Sequence, residues 1–374
     1  MDHIIEVNCK SQNMQNHSYQ IQIENSYDML QSAMGIIEGI EQKKICIITD
    51  SNVEKLYLNE VKDKISSICK SCEVFSFEAG ESSKNLRTIE QIYTFLIEKQ
   101  FNRSDLLVAL GGGVVGDMTG FAAATYMRGI HFIQLPTTLL AQVDSSIGGK
   151  TGVDCEQYKN MIGAFWMPDL VYINTHVLHS LPQREFACGM AEVLKSALIK
   201  RASFYEWLVS NFYEINEKEI EILNTMIYET CTIKKIIVEK DPFEKGERAA
   251  LNFGHTIGHA IEKYKNFELL HGECVALGCV AAAFISWKKE LLSMEEYYEI
   301  RDMFVPFGLP ISLENIDLET IITLTKSDKK ASENGVKFVL LKKIGKAMTG
   351  QSVTDEEMMA ALNEIYYKEE DMYE

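Results

Sequence analysis

The sequence predicts an α/β protein, with an N-terminal parallel-sheet domain followed by a mainly α-helical domain. Three observations carry this. Short, continuously apolar runs alternate with helix-period segments through the first half. Strand signals become rare after Leu181, where long helical patterns take over. A glycine cluster follows one of the apolar runs directly. Continuous apolar strands separated by helices belong to parallel sheets covered on both faces.

Taken in order, Ile45 to Thr49 reads as a buried strand that ends at Asp50-Ser51-Asn52, a turn of helix-capping residues. Val74 to Phe77 is a second strand, followed by Gly80 to Lys84 and a helical run from Leu86 to Lys99. Leu106 to Leu110 is a third and runs into Gly111-Gly112-Gly113-Val114-Val115-Gly116-Asp117. Phe132 to Leu135 and Leu170 to Ile173 complete the set. Helical patterns follow over Met190 to Lys200, Tyr205 to Phe212, Glu219 to Lys240, Gly254 to Tyr264 and Glu273 to Lys289. Val336 to Leu341 is a late extended piece, and Thr354 with Glu357 forms a capping box that starts the last helix.

The chain has 374 residues and a formal net charge of −17. Length allows two or three domains, and the change of pattern divides them at 1–180 and 181–374. Phosphate recognition needs clustered Lys and Arg, so the charge excludes a general binder of nucleic acid or anionic membrane. Eight acids and one lysine fall between Asp355 and Glu374, which reads as a solvated helix end. The nine cysteines are scattered and odd in number, unlike a secreted disulfide framework. Cys69-Lys70-Ser71-Cys72 lacks the second pair of a zinc ribbon and reads as two incidental thiols between a helix and a strand. The N-terminus has no basic region before an apolar run, and the longest apolar stretch, Val275 to Trp287, is too short to span a bilayer as a helix. The expectation is a soluble, cytoplasmic protein.

Glycines after a buried strand let backbone N–H groups approach a pyrophosphate, and the helix that follows adds partial positive charge. Gly111 to Asp117 has this Rossmann-like context, although its spacing is a variant of the usual fingerprint. The same residues read equally as a tight turn that needs glycine dihedrals. Asp50 reads either as a ribose-binding acid or as a helix cap. Thr137 and Thr138 read as hydroxyl donors at a strand end or as turn residues.

A metal signal lies in the second half. His255 and His259 are spaced i, i+4 on one helix face, and His271 opens the next helical pattern. Glu192 stands among Met190, Val193 and Leu194, where an unpaired carboxylate is costly. Together they suit a divalent site with three protein ligands, or a buried hydrogen-bonded histidine cluster. Lys150, Lys159, Arg128 and Arg248 are single basic residues beside Gly, Asn or other small residues, and Lys150 between glycines is the least ordinary of them. In sum, the residues suggest a dinucleotide, a divalent metal and an anionic substrate in one interdomain cleft, with metal-assisted alcohol oxidation as the chemistry.

Gly111 to Asp117, Arg128-Gly129, the block Leu135 to Asp154 with Asp144-Ser145-Ser146-Ile147-Gly148-Gly149-Lys150, and Lys159 to Phe165 together resemble the 3-dehydroquinate synthase family. So do Leu181-Pro182, Arg184-Glu185-Phe186, Gly189-Met190-Ala191-Glu192, Asn252 to Glu262 and His271-Gly272-Glu273. The resemblance runs from about Asp50 to Gly345. It implies conversion of 3-deoxy-D-arabino-heptulosonate 7-phosphate, a phosphorylated keto acid, to 3-dehydroquinate and phosphate in the shikimate pathway, towards aromatic amino acids. Bound NAD would oxidise a hydroxyl, phosphate would be eliminated, the ketone reduced back and the ring closed by an aldol step. One divalent metal, zinc or cobalt, would be held by Glu192, His255 and His271. Lys150, Lys159, Asn160, Lys195, Lys234, Arg248, Asn252 and His259 match substrate and catalytic positions, with a further lysine in Lys329-Lys330. Arg128 matches an arginine that reaches the neighbouring subunit's site, which implies a homodimer. Asp50, Asn52, Glu81, Lys84, Gly113, Val114, Val115, Gly116, Asp117, Thr137, Thr138, Lys150, Lys159 and the turn Val177, Leu178, His179 and Ser180 match cofactor contacts. The rival readings are a related sugar-phosphate cyclase, a metal-dependent polyol dehydrogenase that releases NADH, and a catalytically silent nucleotide-binding module.

Overall fold

The computed structural model describes residues 3–9, 17–156, 158–328 and 336–367. The chain divides into two compact units, one of Met1–Leu181 with Leu223–Phe243, the other of Pro182–Ile222 with Glu244–Glu374.

The first unit holds β1 (Ile4–Cys9), β2 (His17–Glu24), β3 (Lys44–Asp50), β4 (Ser71–Phe77), β5 (Leu106–Gly111), β6 (His131–Pro136), β7 (Lys150–Cys155), β8 (Tyr158–Phe165) and β9 (Leu170–Asn174). Its first helices are α1 (Leu30–Met34), α2 (Asn59–Ser66), α3 (Leu86–Glu98) and α4 (Gly113–Thr125). Seven strands form one sheet in the order β1-β2-β9-β6-β5-β3-β4, and only the β1–β2 pairing is antiparallel. The central strands are buried along their length, as their unbroken apolar sequence requires. Successive side chains point to opposite faces. Ile45, Ile47, Leu106, Val108 and Leu110 meet α1 and α2 on one side. Cys46, Ile48, Leu107 and Ala109 meet α3 and α4 on the other. Each fully buried aliphatic side chain contributes roughly 1.5–3 kcal/mol.

Two hairpins go beyond the strands read from the sequence. β1 and β2 extend the sheet at its edge, and β7 pairs with β8 as a separate ribbon. The ribbon strands approach closely, since a Cβ on Gly163 would stand 2.3 Å from the Thr151 carbonyl oxygen.

The second unit holds α5 (Gln183–Lys200), α6 (Ala202–Ser210), α7 (Phe212–Asn216), the start of α8 (Ile220–Lys240), α9 (His255–Tyr264), α10 (His271–Lys288), α11 (Met294–Asp302) and α12 (Leu318–Asp328), then β10 (Val336–Lys343), β11 (Lys346–Val353) and α13 (Asp355–Ile365). The helix read over Tyr205 to Phe212 breaks at Asn211, whose φ of −117° and ψ of 19° leave the helical region. α10 is buried on nearly every side and packs against α5, α9, α11, α13 and β10. Of the acidic stretch from Asp355, read as a solvated helix end, residues 368–374 lie outside the described residues, and Asp355 and Glu356 are exposed. Up to Ile365 the stretch is a docked amphipathic helix that buries Met358, Ala361, Leu362 and Ile365. Two of its acids pair with lysines, Glu357 with Lys289, and Asp355 with Lys326 at 2.6 Å.

From Leu223 onward α8 counts with the sheet unit, whereas the boundary read at 180/181 puts all of it in the helical half. Its polar anchor is Asn224, which accepts from the buried Thr175 hydroxyl at 2.9 Å and donates to Asn25 at 2.8 Å. Buried polar groups that satisfy one another fix a unique register, and breaking one strands the rest.

Helices α9 and α10 touch backbone to backbone. A Cβ on Gly278 would lie 1.8 Å from the Gly254 carbonyl oxygen, and one on Gly258 would lie 2.7 Å from the Cys274 carbonyl oxygen. Gly308 makes a useful contrast, with φ at +73° but nothing within 4 Å of its missing Cβ. We expect Gly278→Ala to cost about 3 kcal/mol or more through forced separation of the helices, and to lower Tm by at least about 5 °C. Gly308→Ala should cost about 1 kcal/mol from dihedral strain alone. Differential scanning calorimetry of both variants decides whether close approach or dihedral freedom is the stronger constraint.

Candidate active site

In the first unit the expected cofactor residues follow the carboxyl ends of the sheet strands. Asp50 ends β3, Glu81 and Lys84 follow β4, Gly113 to Asp117 follow β5, Thr137 and Thr138 follow β6, and Val177 to Ser180 follow β9. The strand order reverses beside β3 and β5, and such switch points are where open α/β sheets bind ligands. The glycine loop has no left-handed residue from Gly111 to Gly116, so dihedral freedom does not explain it. Space does. A Cβ on Gly111 would strike Val115 at 2.4 Å, and one on Gly116 would strike the Gln134 amide oxygen at 2.6 Å. α4 begins at Gly113, and no side chain caps its N-terminus.

Asp50 does serve as a cap, since its Oδ1 accepts from the backbone N–H groups of Asn52 at 2.9 Å and Val53 at 3.0 Å. The turn Val177 to Ser180 is held by Tyr57, whose hydroxyl meets the Val177 carbonyl oxygen at 3.2 Å and the Ser180 hydroxyl.

A charged group lies alongside. Lys84 is buried and its Nζ stands 2.7 Å from both Asp117 Oδ2 and Asn160 Oδ1. Burial works against the charge of Lys84, but Asp117 and Glu81 outweigh it and raise its pKa. Burial also pushes the Asp117 and Glu81 carboxyls up, against the pull of Lys84. Lys159 lies 3.9 Å from Glu81. Asn160 on β8 adopts φ of +54°, in the left-handed region that Asn tolerates, and its Oδ1 accepts from Lys84. Lys234 on α8 binds the Asp144 carboxylate at 2.6 Å and the Asp144 carbonyl at 2.5 Å. Lys150 is exposed at the start of β7.

In the second unit Glu192 projects from α5, a helix buried over most of its length. It is 1% exposed and in direct ion contact with Lys195, which is 2% exposed. Glu192 Oε1 lies 3.7 Å from His255 Nε2 and 3.7 Å from His271 Nε2. His255 is the first residue of α9 and His271 the first of α10, so the close packing of these helices brings both rings to one carboxylate. The start of α10 is pinned by Glu273, which accepts from the Leu270 N–H at 2.7 Å and from the Arg184 Nε at 2.7 Å. His259 joins the group, with its ring centroid 5.1 Å from that of His255 and 6.0 Å from that of His271.

The electrostatics separate the three members. Burial works against a charged Glu192, but Lys195 and His271 outweigh it and hold the carboxyl at about 2. Burial lowers His255 well below its usual value, reinforced by Lys195 and the other rings. Burial would lower His271 too, yet Glu192 and Glu262 lift it to about 9. His255 thus stands in its neutral, ligating form, and His271 would surrender a proton to an incoming ion.

A carboxylate and two imidazoles are the donor set of a catalytic divalent site. Donors about 2.1 Å from a tetrahedral ion stand about 3.4 Å apart, so the two carboxylate–imidazole separations of 3.7 Å need adjustments of tenths of an ångström, and all three donor atoms lie within 4.8 Å of one another. His259, Glu262 and His271 form a second donor cluster that shares His271.

The structure therefore assembles two groups. Lys84, Asp117, Asn160, Glu81 and Lys159 gather in the first unit, and Glu192, Lys195, His255, His259 and His271 in the second. Arg248 is buried in the turn Glu247–Asn252 that precedes α9, and Asn252 in the same turn donates to Glu244 at 2.9 Å. Arg128 lies in a turn beyond the C-terminus of α4 that packs against Trp166. The Trp166 indole donates to the Ile130 carbonyl at 3.1 Å, and its backbone N–H donates to the Gly149 carbonyl at 2.8 Å, beside Lys150. Lys329 and Lys330 lie outside the described residues. Sequence reasoning assigned no role to Glu262 or Glu244. Glu262 was within reach, being seven residues after His255 on the same helix face.

Comparison with known proteins matches residues 74–188 to the family described as 3-dehydroquinate synthase N-terminal and residues 189–331 to 3-dehydroquinate synthase C-terminal. A 3-dehydroquinate synthase of Acetivibrio thermocellus is 44% identical over 346 residues, covering 92% of this chain and 95% of that protein. Among solved structures, 2-deoxy-scyllo-inosose synthase complexed with carbaglucose-6-phosphate, NAD+ and Co2+ is 26% identical. Its TM-score is 0.86, and the match covers 96% of this chain and 99% of the other. A 2-epi-5-epi-valiolone synthase from Streptomyces hygroscopicus, with NAD+ and Zn2+ bound, has the same fold at 24% identity and a TM-score of 0.86, covering 95% and 99% of the two chains.

Glu192→Gln keeps the shape of the side chain and removes the anionic donor. We expect zinc affinity, read by chelator competition, to fall by at least about 100-fold, beyond the usual cost of losing a partner outside the ligand shell. Unchanged affinity would remove Glu192 from the site.

Proposed function

The chain belongs to the 3-dehydroquinate synthase family, and from that premise we propose how its own residues carry the reaction. The activity is that of a carbon–oxygen lyase. It converts 3-deoxy-D-arabino-heptulosonate 7-phosphate to 3-dehydroquinate and phosphate through transient NAD-dependent oxidation, phosphate elimination, reduction and aldol closure.

The residues divide the work. The uncapped N-terminus of α4 at Gly113 to Asp117 receives the NAD pyrophosphate on backbone N–H groups. Asp50, with Oδ1 committed to its own turn, offers Oδ2 to a ribose hydroxyl. Thr137, Thr138, Asn52, Glu81 and the turn Val177 to Ser180 line the rest of the cofactor. Lys84, paired with Asp117 and Asn160, stands where it can bind polar groups of cofactor or substrate. Glu192, His255 and His271 hold one divalent ion, zinc or cobalt. When bound, the dinucleotide takes up and returns a hydride, and the ion polarises the oxygens on the carbons that change. Lys150, Lys159 and Arg248 hold the substrate's phosphate and carboxylate by charge-assisted hydrogen bonds. Lys195, Lys234, Asn252 and His259 bind hydroxyls and move protons. The single observation that carries this reading is the buried Glu192 carboxylate set at 3.7 Å from two imidazole nitrogens.

We also propose a homodimer in which Arg128 serves the neighbouring subunit's site. α4 runs thirteen residues from Gly113, so Arg128 lies beyond the far end of the helix whose first turn is the glycine loop, about 20 Å from its start at 1.5 Å per residue. Met127, Arg128 and Gly129 all have positive φ, a strained turn of the kind kept at functional positions. We place the enzyme in the cytoplasm, in aromatic amino acid biosynthesis. The nine cysteines are free thiols, which suits a reducing compartment. No helix among the described residues is long and apolar enough to cross a membrane.

Incubation with substrate and catalytic NAD should release stoichiometric phosphate with no net NADH absorbance, whereas accumulating NADH with little phosphate would mark a dehydrogenase. Lys150→Ala should lower kcat/KM by at least about 30-fold, the equivalent of about 2 kcal/mol for a charge-assisted hydrogen bond. Two inactive variants test the dimer. If Arg128→Ala and Lys150→Ala chains are mixed and allowed to exchange, half the dimers are mixed and each contains one intact site. Recovery should approach about a quarter of wild-type activity. No recovery would place Arg128 in its own subunit's site.

A further inference from the structure

We propose that Glu262 is a positioning residue for the metal centre, its buried carboxylate accepting the Nδ1–H of His271 and so turning that ring's Nε2 toward the ion. The inference rests on the assignment of Glu192, His255 and His271 as ligands.

An imidazole that ligates through one nitrogen carries its proton on the other, and that N–H needs an acceptor. The two rings answer this in parallel. His255 directs Nε2 at Glu192, and its Nδ1 stands 3.1 Å from the Phe253 carbonyl oxygen. His271 directs Nε2 at the same carboxylate oxygen, and its Nδ1 stands 3.8 Å from Glu262 Oε2. The layout is shared, and the acceptor is a carbonyl for one ring and a carboxylate for the other. At 3.8 Å the second contact is longer than a hydrogen bond, and it must close by somewhat under an ångström when His271 ligates through Nε2.

Placement supports the assignment. Seven residues is close to two helical turns, so α9 presents His255 and Glu262 on one face. Glu262 is 5% exposed, a position in which a carboxylate requires compensating donors. Its backbone also takes part in delivering His271. Its carbonyl accepts from the Phe267 N–H at 3.0 Å, inside a linker where Asn266 and Phe267 both have positive φ. One residue thus holds the start of the linker through its main chain and the histidine at the far end through its side chain.

The competing reading makes His259, Glu262 and His271 a second cation site, since their donor atoms lie within 4.8 Å of one another. His271 would then bridge two ions and lose both ring protons, which the single-ion arrangement does not ask of it.

Zinc titration of the full chain against a chelator tests the proposal. Wild type should bind one equivalent, and Glu262→Ala should bind it about 10- to 100-fold more weakly, the usual loss for such a partner. Glu262→Gln keeps an acceptor oxygen and should recover most of that loss. In a His271→Ala background, Glu262→Ala should cause no further loss. Should Glu262→Ala fail to fold, 15N-histidine spectra of the zinc-loaded wild type decide instead, with His271 protonated at Nδ1 and coordinated through Nε2. Wild-type affinity in Glu262→Ala, coordination of His271 through Nδ1, or a second zinc equivalent that disappears in the Glu262 variants would overturn the proposal. A wild-type chain that binds no zinc would overturn the ligand assignment itself, a result distinct from any of these.

Discussion

A carboxylate is not stable alone in a protein interior, and Glu192 makes the second unit answer for one. It is buried on α5, so cationic and hydrogen-donating groups must be brought to it. Lys195 comes from the next turn of the same helix. The other neighbours, His255 and His271, come from the first residues of two further helices. The architecture around them follows from getting those two helix starts to one point.

That convergence is a matter of backbone spacing. Gly254, Gly258 and Gly278 let α9 and α10 touch main chain to main chain, and a Cβ on Gly272 would lie 2.1 Å from the Cys188 carbonyl oxygen of α5. The glycine loop of the first unit uses the same device, because its residues are small to admit Val115 and Gln134 rather than to reach unusual dihedrals. In both units glycine sets distance, and distance sets which polar groups can share a ligand.

Much of this was legible in the sequence where a signal is local. The strands β3, β5 and β9 were readable because burial on both faces demands apolar runs, and β6 was readable despite the buried Gln134 in its middle. The start of α13 was readable because a capping box is a four-residue pattern. β8 was not, since Lys159, Asn160 and Gly163 interrupt any alternation and the ribbon is held by backbone approach. The docking of α13 was masked by its acids, whose lysine partners lie far away in sequence. At the site, His255, His259 and His271 announced themselves by residue type and spacing. Glu262 did not, because its meaning depends on where His271 arrives after the linker. The pairing of Lys234 with Asp144 likewise joins residues ninety positions apart.

The passage of α8 into the sheet unit has a consequence for how the chain is made. Residues up to Leu181 contain every strand of the parallel sheet, yet that unit lacks α8 until Phe243 has emerged from the ribosome. Until then Thr175 and Asn25 wait for Asn224, and Asp144 waits for Lys234. A nascent chain halted at the apparent domain border would hold a complete β-sheet with an open polar seam, so translation past that border, rather than sheet formation, closes the sheet unit.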